Sequence, residues 1–585
     1  MNFRILKERH APVPGSASIF HPTGWEGGVP DENGQRHAVD TRIILHYFFR
    51  FGMFRHKFRH FFTLSLYHLT FSFPGHTIFY ICVTVHYFHS YICTLHFFAK
   101  EDLPLSDFSD LLDHAIARSN LSMLELQEAS GIPISYLYKL RKGVRFTKKY
   151  TPNVLSLIYA LQCPKAEEAR LLQEFQIETI GKETFRCLHS IRDIIASIGP
   201  RDLREFPPVS SETHDFSSSA RLSGELEINA CLRKLLLEQA AQKEKGSVLM
   251  LGGEQHSFLK ETIPPILHNS DVQVRHLFRL DSHTYPESES HNLETLKPIL
   301  RYFFCGFGYH PKYIYTYNDS YDRRITIFDT LLIFGHKIAI AMTGEDHGLV
   351  LTSPDEIAFF EARFQDLYNS GQTLMTSISG LMGLQNAFMD AEATVKNYTY
   401  YSLENSFCSL SFLSKDMLFA HLAVRDEETE QLLADFLRRS EYLLEQKRVF
   451  YYTKDSVRQF LADGKLEYLP QDLYTPLNPQ ERLLVLRRLL NRCTHPTRNL
   501  EYHLILDNAF PIHPNAMIDA LSKSANFVGY YNNDDVFETY RIKEPNLSKW
   551  IYFFLESLAS SDWVYSNEEQ AAFLEDEIQK FSQEH

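Results

Sequence analysis

The stretch LSMLELQEASGIPISYLYKLRKGVR, residues 121–145, decides how the first folded unit of this chain is interpreted. Ser122 stands where an N-cap hydroxyl is needed, and Glu125 three residues later completes a capping-box pattern. Gly131 supplies the left-handed backbone angles of a tight turn, and Pro133 suits the first turn of a following helix. The stretch therefore predicts two short helices joined by a tight turn.

The two helices should bury one face and expose another. Helical spacing predicts that Leu126, Leu137 and Leu140 face each other inward. The outer surface of the second helix then comprises Ile134, Ser135, Tyr138, Lys139, Arg141 and Lys142. No acidic residue occurs from residue 129 to 166, and this window contains seven basic residues. Such a surface would attract the phosphates of a nucleic-acid duplex.

The same stretch resembles the helix-turn-helix of the Cro/C1 (phage repressor-like, XRE) family. That pattern has a hydrophobic residue in the first helix, a turn glycine, inward aliphatic residues and a closing glycine. These places are occupied by Leu126, Gly131, Leu137, Leu140 and Gly143. The resemblance covers residues 105–173 and implies an all-α head of five helices. Gln127 departs from the pattern, which favours a small residue there, and its bulky polar side chain is expected to loosen the helix packing.

The resemblance also implies which residues bind double-stranded DNA. A helix over residues 133–142 would enter the major groove, with base edges facing Ile134, Ser135, Tyr138 and Lys139. Ile134 or Tyr136 would contact a thymine methyl group, and Lys139 would donate to guanine. Phosphate contacts, which set register without reading sequence, are expected from Ser122, Arg141, Lys142, Arg145, Lys148 and Lys149. The alternative is a solvated basic helix face in an unrelated helical domain.

The length and charge of the chain limit how many domains it forms and which partners it binds. At 585 residues it exceeds one hydrophobic core, so several domains are expected. The formal net charge is −14, and residues 171–585 hold 40 basic against 59 acidic side chains. An acidic body repels polyphosphate, so any DNA contact needs a local basic patch. Eight cysteines without a CxxC pair predict free thiols in a reducing cytoplasm.

The first hundred residues have an unusual composition. Residues 41–100 contain no Asp or Glu, and residues 41–98 contain thirteen Phe and eight His. We interpret residues 1–100 as an unstructured or non-native extension. Residues 76–99 are long enough to cross a bilayer, but their four His and scattered Ser and Thr argue against a membrane segment. A packed N-terminal element is the third alternative.

Beyond residue 105 the hydrophobic pattern and composition divide the chain into several segments. The prediction is an all-α helix-turn-helix head at 105–178, a helix and Pro/Ser-rich linker at 179–220, and an α/β sensor-like domain at 221–375. A C-terminal region at 376–585 is expected to be mostly helical from about 380 to 446 and then mixed α/β. The expected fold class is therefore multidomain, an all-α head followed by an α/β (α+β) effector region with a helical segment. No repeat of fixed period is visible.

One stretch of the acidic region carries a second resemblance. DRRITIFDTLLIFG, residues 322–335, is similar to the HxKxxxxD motif and following glycine of the phospholipase D superfamily, and the resemblance extends over residues 246–371. The motif places are occupied by Asp322, Arg324, Asp329 and Gly335. Without an imidazole at the first place there is no phosphoryl-accepting nucleophile, so the resemblance implies a sensor. Ordinary strand sequence is the alternative, and His336 is interpreted as an isolated histidine.

These observations favour a cytoplasmic transcription regulator that binds DNA as a homodimer and senses a small-molecule or peptide effector. The sequence predicts no catalytic residue, no cofactor and no metal site. Two alternatives stay open: a phosphodiesterase-type enzyme that a helical head targets to its substrate, and a membrane-tethered regulator.

Overall fold

The computed structural model describes most of the chain after residue 106. The described residues are 107–143, 151–198, 218–242, 245–282, 287–316, 328–378, 398–404, 409–427, 429–431, 433–434, 447–466, 474–495, 499–507, 509–513, 516–531, 537–561 and 563–584. The extension at 1–100, the basic residues at 144–150 and most of the predicted linker lie outside them.

Five helices open the described chain and share one apolar core. They are α1 (Asp107–Arg118), α2 (Met123–Ser130), α3 (Ile134–Arg141), α4 (Thr151–Ala160) and α5 (Lys165–Ile180). In α1 the apolar stripe of the sequence is buried, and acids in the first turn and Arg118 in the last complement the helix dipole. Leu112, Leu126, Leu137 and Leu157 are buried together, so these helices form a small unit with its own core.

The next helix, α6 (Lys182–Ser197), belongs to a different core. Its buried face includes Cys187, Ile191, Ile194 and Ile195, which join the large apolar core of the following α/β region. The sequence grouped this helix with a linker, because its stripe does not reveal which partner it covers.

The first sheet contains eight strands. They are β1 (Ala220–Ser223), β2 (Ser247–Leu251), β3 (Gln273–Asp281), β4 (Gly308–Thr316), β5 (Thr330–Phe334), β6 (Ile338–Thr343), β7 (His347–Leu351) and β8 (Gln372–Thr373). The helices are α7 (Glu225–Ala240), α8 (Ser257–Leu267), α9 (Ser288–Phe303) and α10 (Pro354–Ser370). Strand order is β1-β7-β6-β5-β2-β3-β4-β8, with β2, β3 and β4 parallel and the other neighbours antiparallel.

The second sheet contains seven strands. They are β9 (Met375–Ile378), β10 (Tyr400–Glu404), β11 (Arg448–Tyr452), β12 (Leu500–Leu504), β13 (Ala516–Ser522), β14 (Ala525–Tyr531) and β15 (Phe537–Ile542). The helices are α11 (Lys415–Ala420), α12 (Lys454–Asp463), α13 (Pro479–Thr494), α14 (Pro545–Leu558) and α15 (Asn567–Glu584). Strand order, from the opposite edge, is β9-β15-β14-β13-β10-β11-β12, and β10, β11 and β12 are parallel.

The two sheets repeat one topology. In each sheet, three parallel strands are joined by crossover connections. The next strand in sequence pairs antiparallel with the first of these three, and two further antiparallel strands extend the sheet beyond it. The strand that precedes the trio in sequence pairs at that outer edge, β1 with β7 and β9 with β15. The chain from 220 to 370 and the chain from 375 to 558 are therefore two topologically equivalent halves. The sequence showed no repeat, because the halves share strand order without a shared residue period.

One core joins the two halves. Helices α7, α8 and α9 cover one face of the first sheet, and α14 covers one face of the second. The apolar side chains of both faces and of α6 form a single buried cluster. The other face of the first sheet lies under α10, and that of the second lies under α12, α13 and α15.

The described residues thus form a multidomain protein of helices and mixed α/β sheets. The described residues from 220 to 373 contain strands and helices in a mixed α/β arrangement. The helical stretch predicted at 380–446 is wrong in part, because Tyr400–Glu404 is a strand, β10. Its position between β11 and β13 stabilises it through hydrogen bonds on both sides, which outweigh local propensity. None of the helices that the structure describes is both long and apolar enough to cross a membrane.

The second sheet contains a buried carboxyl group, that of Asp519, next to the hydroxyl of Ser402. Asp519 on β13 lies directly opposite Ser402 on β10, and its Oδ1 accepts hydrogen bonds from Ser402 Oγ and the Tyr400 hydroxyl, both at 2.7 Å. Ser402 Oγ also lies 2.6 Å from Glu404 Oε1. Burial disfavours the ionised form and raises the pKa of Asp519 to about 6. Keeping the Asp519 carboxylate ionised at neutral pH therefore costs folding free energy.

Replacing Asp519 with Asn should remove that cost. In the wild type the folded pKa exceeds the unfolded value, so this group's contribution to stability is complete in acid and is lost as the pH rises through 6. The free energy of unfolding of Asp519→Asn, relative to wild type, should be higher at about pH 7.5 than at about pH 4, by roughly 2.5 kcal/mol. Denaturant titrations of the full chain at both pH values measure it.

The matched control is Asp576→Asn, because Asp576 is exposed on α15 and pairs there with Lys580. It should show little difference from wild type at either pH. A difference between Asp519→Asn and wild type that stays constant across pH would contradict the assigned ionisation.

Candidate nucleic-acid interface

The first helix of the predicted motif begins with the expected cap. Glu125 N–H donates to Ser122 Oγ at 3.3 Å, and Ser122 N–H donates to Glu125 Oε2 at 2.7 Å. The Ser122 hydroxyl donates to the same carboxylate at 2.7 Å, and these hydrogen bonds lower the pKa of Glu125. The hydroxyl predicted to hold a phosphate thus caps α2 beside a carboxylate.

The turn between α2 and α3 is braced from three directions. Gly131 has φ of 68° and ends α2 in the left-handed conformation. Ser130 Oγ donates to the Leu126 carbonyl at 2.6 Å and accepts from Ile132 N–H at 3.2 Å. Asn153 at the start of α4 donates to the Ser130 carbonyl at 2.8 Å. These bonds hold the two helices at one fixed angle.

Gln127 helps to position α3. Its Oε1 accepts a hydrogen bond from the Ile134 N–H at 3.3 Å, so it satisfies one of the unpaired donors at the start of this helix. Leu126, Leu137 and Leu140 are buried in the head core as predicted. The departure from the family pattern therefore adds a side-chain cap at this turn and does not separate the helices.

The outer face of α3 presents four of the predicted residues to solvent. Ser135, Lys139 and Lys142 are exposed, and the Tyr138 side chain projects beside them with the residue 48% exposed. Ile134 is half-buried. Tyr136 is also half-buried and packs against the head core, so it is less accessible to a thymine methyl than the exposed Tyr138. The exposed set combines hydroxyl, aromatic and ammonium groups on one helix face.

Arg141 has a partner that the sequence did not predict. Its guanidinium forms an ion pair with Asp113 on α1 and lies 5.9 Å from the centre of the Tyr138 ring. A second ion pair joins Arg118 of α1 to Glu167 of α5. Both pairs connect residues distant in sequence, and only the folding of α1 across the head brings them together. Arg145, Lys148 and Lys149 lie outside the described residues.

Of the four positions that resemble the phospholipase D motif, the structure describes two, Asp329 and Gly335. Asp322 and Arg324 lie outside the described residues. Asp329 is exposed at the start of β5, its N–H donates to the Met342 carbonyl at 2.8 Å, and its Oδ2 accepts from Gly344 N–H at 3.0 Å. Gly335 lies in the turn between β5 and β6. Asp329 therefore braces the β6–β7 hairpin.

His336 is not isolated. Ser247 Oγ lies 3.4 Å from His336 Nε2, and His336 Nδ1 lies 2.5 Å from Glu361 Oε1. His336 has φ of 60° in the β5–β6 turn, so the backbone holds it in a conformation that non-glycine residues rarely adopt. The three side chains join β2, this turn and α10, and sequence reasoning missed them because they are far apart in the chain.

A serine, a histidine and a carboxylate in this order also form the nucleophile and base of many hydrolases. Here the His336 side chain is 63% exposed, so water surrounds the pair. The Ser247 N–H already donates to Gln239 Oε1 at 3.1 Å and is not available to stabilise an oxyanion. We interpret the three residues as a brace for the turn. Within the described residues, no cluster of His, Cys, Asp or Glu is suited to a metal ion.

Comparisons with known proteins identify no family for this chain. No protein-family model matches the chain, and no curated protein matches it. Among solved structures, polyphosphate kinase from Porphyromonas gingivalis is 12% identical with a TM-score of 0.20, over 65% of this chain and 60% of that one. The archaeal chromatin protein TrmBL2, described as showing a novel mode of DNA binding, is 13% identical with a TM-score of 0.20, over 47% of this chain and 97% of its own. The alignment thus spans only 60% of the kinase chain's length.

Replacing Gln127 with Ala tests the role of this side chain. Loss of its hydrogen bond to Ile134 should destabilise the head locally by about 1 kcal/mol. Hydrogen–deuterium exchange of the full chain should therefore be faster over residues 123–141. Gln176→Ala is the control, because Gln176 is exposed on α5. Slower exchange in Gln127→Ala would mean that glutamine loosens the packing after all.

A covalent probe tests the brace around His336. A fluorophosphonate reagent, which labels activated serines, should leave Ser247 unmodified in the full chain, because the N–H beside it is already bonded. His336→Ala should instead lower the melting temperature of the full chain, because its contacts to Ser247 and Glu361 are lost. A Ser247 adduct that disappears in His336→Ala would show that the serine is activated.

Proposed function

We propose that this protein is a sequence-specific DNA-binding transcription regulator of the Cro/C1 helix-turn-helix type, with α3 as its recognition helix. The observation that carries the proposal is the exposed outer face of α3, where Ser135, Tyr138, Lys139 and Lys142 project together from a braced turn. A rigid helix with polar and cationic side chains on one face has the chemistry needed to enter a major groove.

The side chains of this face differ in their proposed roles. Lys139 and Ser135 read base edges, and Tyr138 contributes a ring and a hydroxyl beside them. Lys142 at the end of α3 neutralises phosphate. Arg141, paired with Asp113, holds α3 against α1 and shares its remaining donors with the DNA backbone. Sequence preference would then depend mainly on Lys139 and Ser135, and affinity on Lys142.

The acidic α/β region serves as the effector-sensing or dimerisation part. Residues 171–585 repel DNA by their negative charge, so DNA is proposed to dock on the basic face of the head. A homodimer would bind two half-sites about one helical turn apart. In the described residues, Cys163, Cys187, Cys231, Cys305 and Cys493 are free thiols, which fits a protein that acts in the reducing cytoplasm.

Duplex binding by the full chain tests this function. A preferred duplex is first selected from a random library and its affinity is then measured by fluorescence anisotropy across a salt series. Lys142→Ala should weaken binding similarly on all sequences and reduce the log–log salt slope by about 1. Lys139→Ala should cost about 1–3 kcal/mol on the selected sequence and relax its base preference.

The control variant is Lys337→Ala, because Lys337 is an exposed lysine of the β5–β6 turn, remote in sequence from the head. It should bind as the wild type does. Failure of the wild type to select any duplex, or wild-type affinity in both head variants, would contradict the proposed function.

A further inference from the structure

The head is joined to the α/β region by a single residue. Helix α5 ends at Ile180 and α6 begins at Lys182, so only Gly181 lies between them. Gly181 has φ of 91°, donates to the Ile177 carbonyl at 2.8 Å and accepts from Phe185 N–H at 2.9 Å. Because one residue separates the two helices and α5 also contacts α6, a displacement of α6 is passed to α5 and to the head built on it.

Polar side chains fasten α6 to α9 of the first half. Glu183 accepts from the Ser290 N–H and hydroxyl at 2.8 and 2.9 Å. Further along the same face, Ser190 Oγ donates to Glu294 at 2.6 Å, and Lys297 Nζ donates to Asp193 at 2.7 Å. Burial alone would raise the pKa of Asp193, but hydrogen bonds from Lys297 and Arg192 lower it. The carboxylate is therefore stabilised in its charged, bonded form.

The same helix also contacts α14 of the second half and Trp563, which follows α14 in the chain. The Arg192 guanidinium lies 5.9 Å from the centre of the Trp563 ring, and the His189 ring meets that ring edge-on at 6.1 Å. Helix α6 packs against α14 as well as α9. It therefore occupies a groove with one wall from each half.

A small apolar cavity lies where α6, α9, α14 and the second sheet meet. Its walls include Ile195, Ile198, Leu300, Val528, Leu547 and Ile551. It has room for about one molecule the size of water and no polar lining to hold one. Side chains around a void lose contacts on one side, so a second packing arrangement costs less here than in a filled core.

Hydrogen bonds to two carboxylates, Glu289 and Glu544, join the two walls of the groove. Glu289 of α9 accepts from Lys549 Nζ at 2.7 Å and from Trp550 Nε1 at 2.8 Å, both on α14. The Tyr315 hydroxyl of β4 donates to Glu544, which caps α14, at 2.5 Å. The groove thus has a defined width, set by bonds between the halves.

From this arrangement we infer that α6 transmits the relative position of the two halves to the head and so regulates DNA binding. The inference rests on the proposed function of the head. A ligand or partner that shifts α9 against α14 changes the groove that holds α6, and the joint at Gly181 passes that shift to α5. The cavity supplies the space in which α6 moves.

Two variants of the full chain perturb α6 without touching the head. Asp193→Asn weakens the link to α9, and Val528→Ile adds one methylene group to the cavity from the second sheet. Each should change the Kd for the selected duplex by about fivefold or more, the usual lower range of allosteric coupling. The salt slope should stay at the wild-type value, because the phosphate contacts of the head are unaltered.

Matched controls carry the same chemical changes elsewhere. Asp576→Asn removes a carboxylate from the exposed face of α15, and Val485→Ile adds a methylene group to the core beneath α13. Both should bind the duplex within about twofold of the wild type. Hydrogen–deuterium exchange provides a second readout: residues 165–197 should exchange at an altered rate in the two test variants and not in the controls.

The outcomes separate the inference from the function on which it rests. Wild-type affinity and wild-type exchange in both test variants overturn the coupling but leave DNA binding standing. A wild type that binds no duplex overturns both. If Asp193→Asn fails to fold, Val528→Ile alone decides, since one added methylene group in a void is tolerated by the core.

Discussion

The structure depends on the burial of α6 between α9 and α14. This helix follows the helical head after a single residue, and its apolar face completes the core of the α/β region. Three polar links to α9, through Glu183, Ser190 and Asp193, fix its rotation and register. Apolar contact alone would allow the helix to slide, whereas hydrogen bonds at fixed spacing do not. The head is consequently attached at a defined position instead of by a flexible tether.

The duplicated topology explains why such a groove exists. Each half buries one sheet face against helices, and the two halves bury those layers in a common core. Glu289 then satisfies donors from α14 on the opposite half, and Glu544 does the same for Tyr315. Carboxylates that accept hydrogen bonds across the two halves make the interface specific, because neither half alone supplies every hydrogen bond. A contact of this kind has few alternative registers.

The head illustrates how charge and packing combine on a short helix. Eight residues of α3 carry inward leucines, a capped start and an exposed basic face. The ion pair between Arg141 and Asp113 ties that helix to α1 and partly neutralises a charge that composition alone would count as free. Lys139 and Lys142 keep their exposure, so the positive charge is concentrated on the outer surface. Within the described residues of the head, Lys139 and Lys142 are therefore the exposed cations of this helix face, and Arg141 is paired.

The sequence by itself determined the local elements of this protein: the capping box at Ser122, the left-handed turn at Gly131, and the inward positions of Leu126, Leu137 and Leu140. These follow from backbone sterics and helical periodicity, which act over a few residues. Only the tertiary structure decided the partners of Arg141, His336 and the face of α6, the strand at 400–404, and the duplication of the two halves. Those features depend on contacts between residues far apart in the chain. No local sequence pattern specifies which distant surface an apolar helix face or a charged side chain will contact.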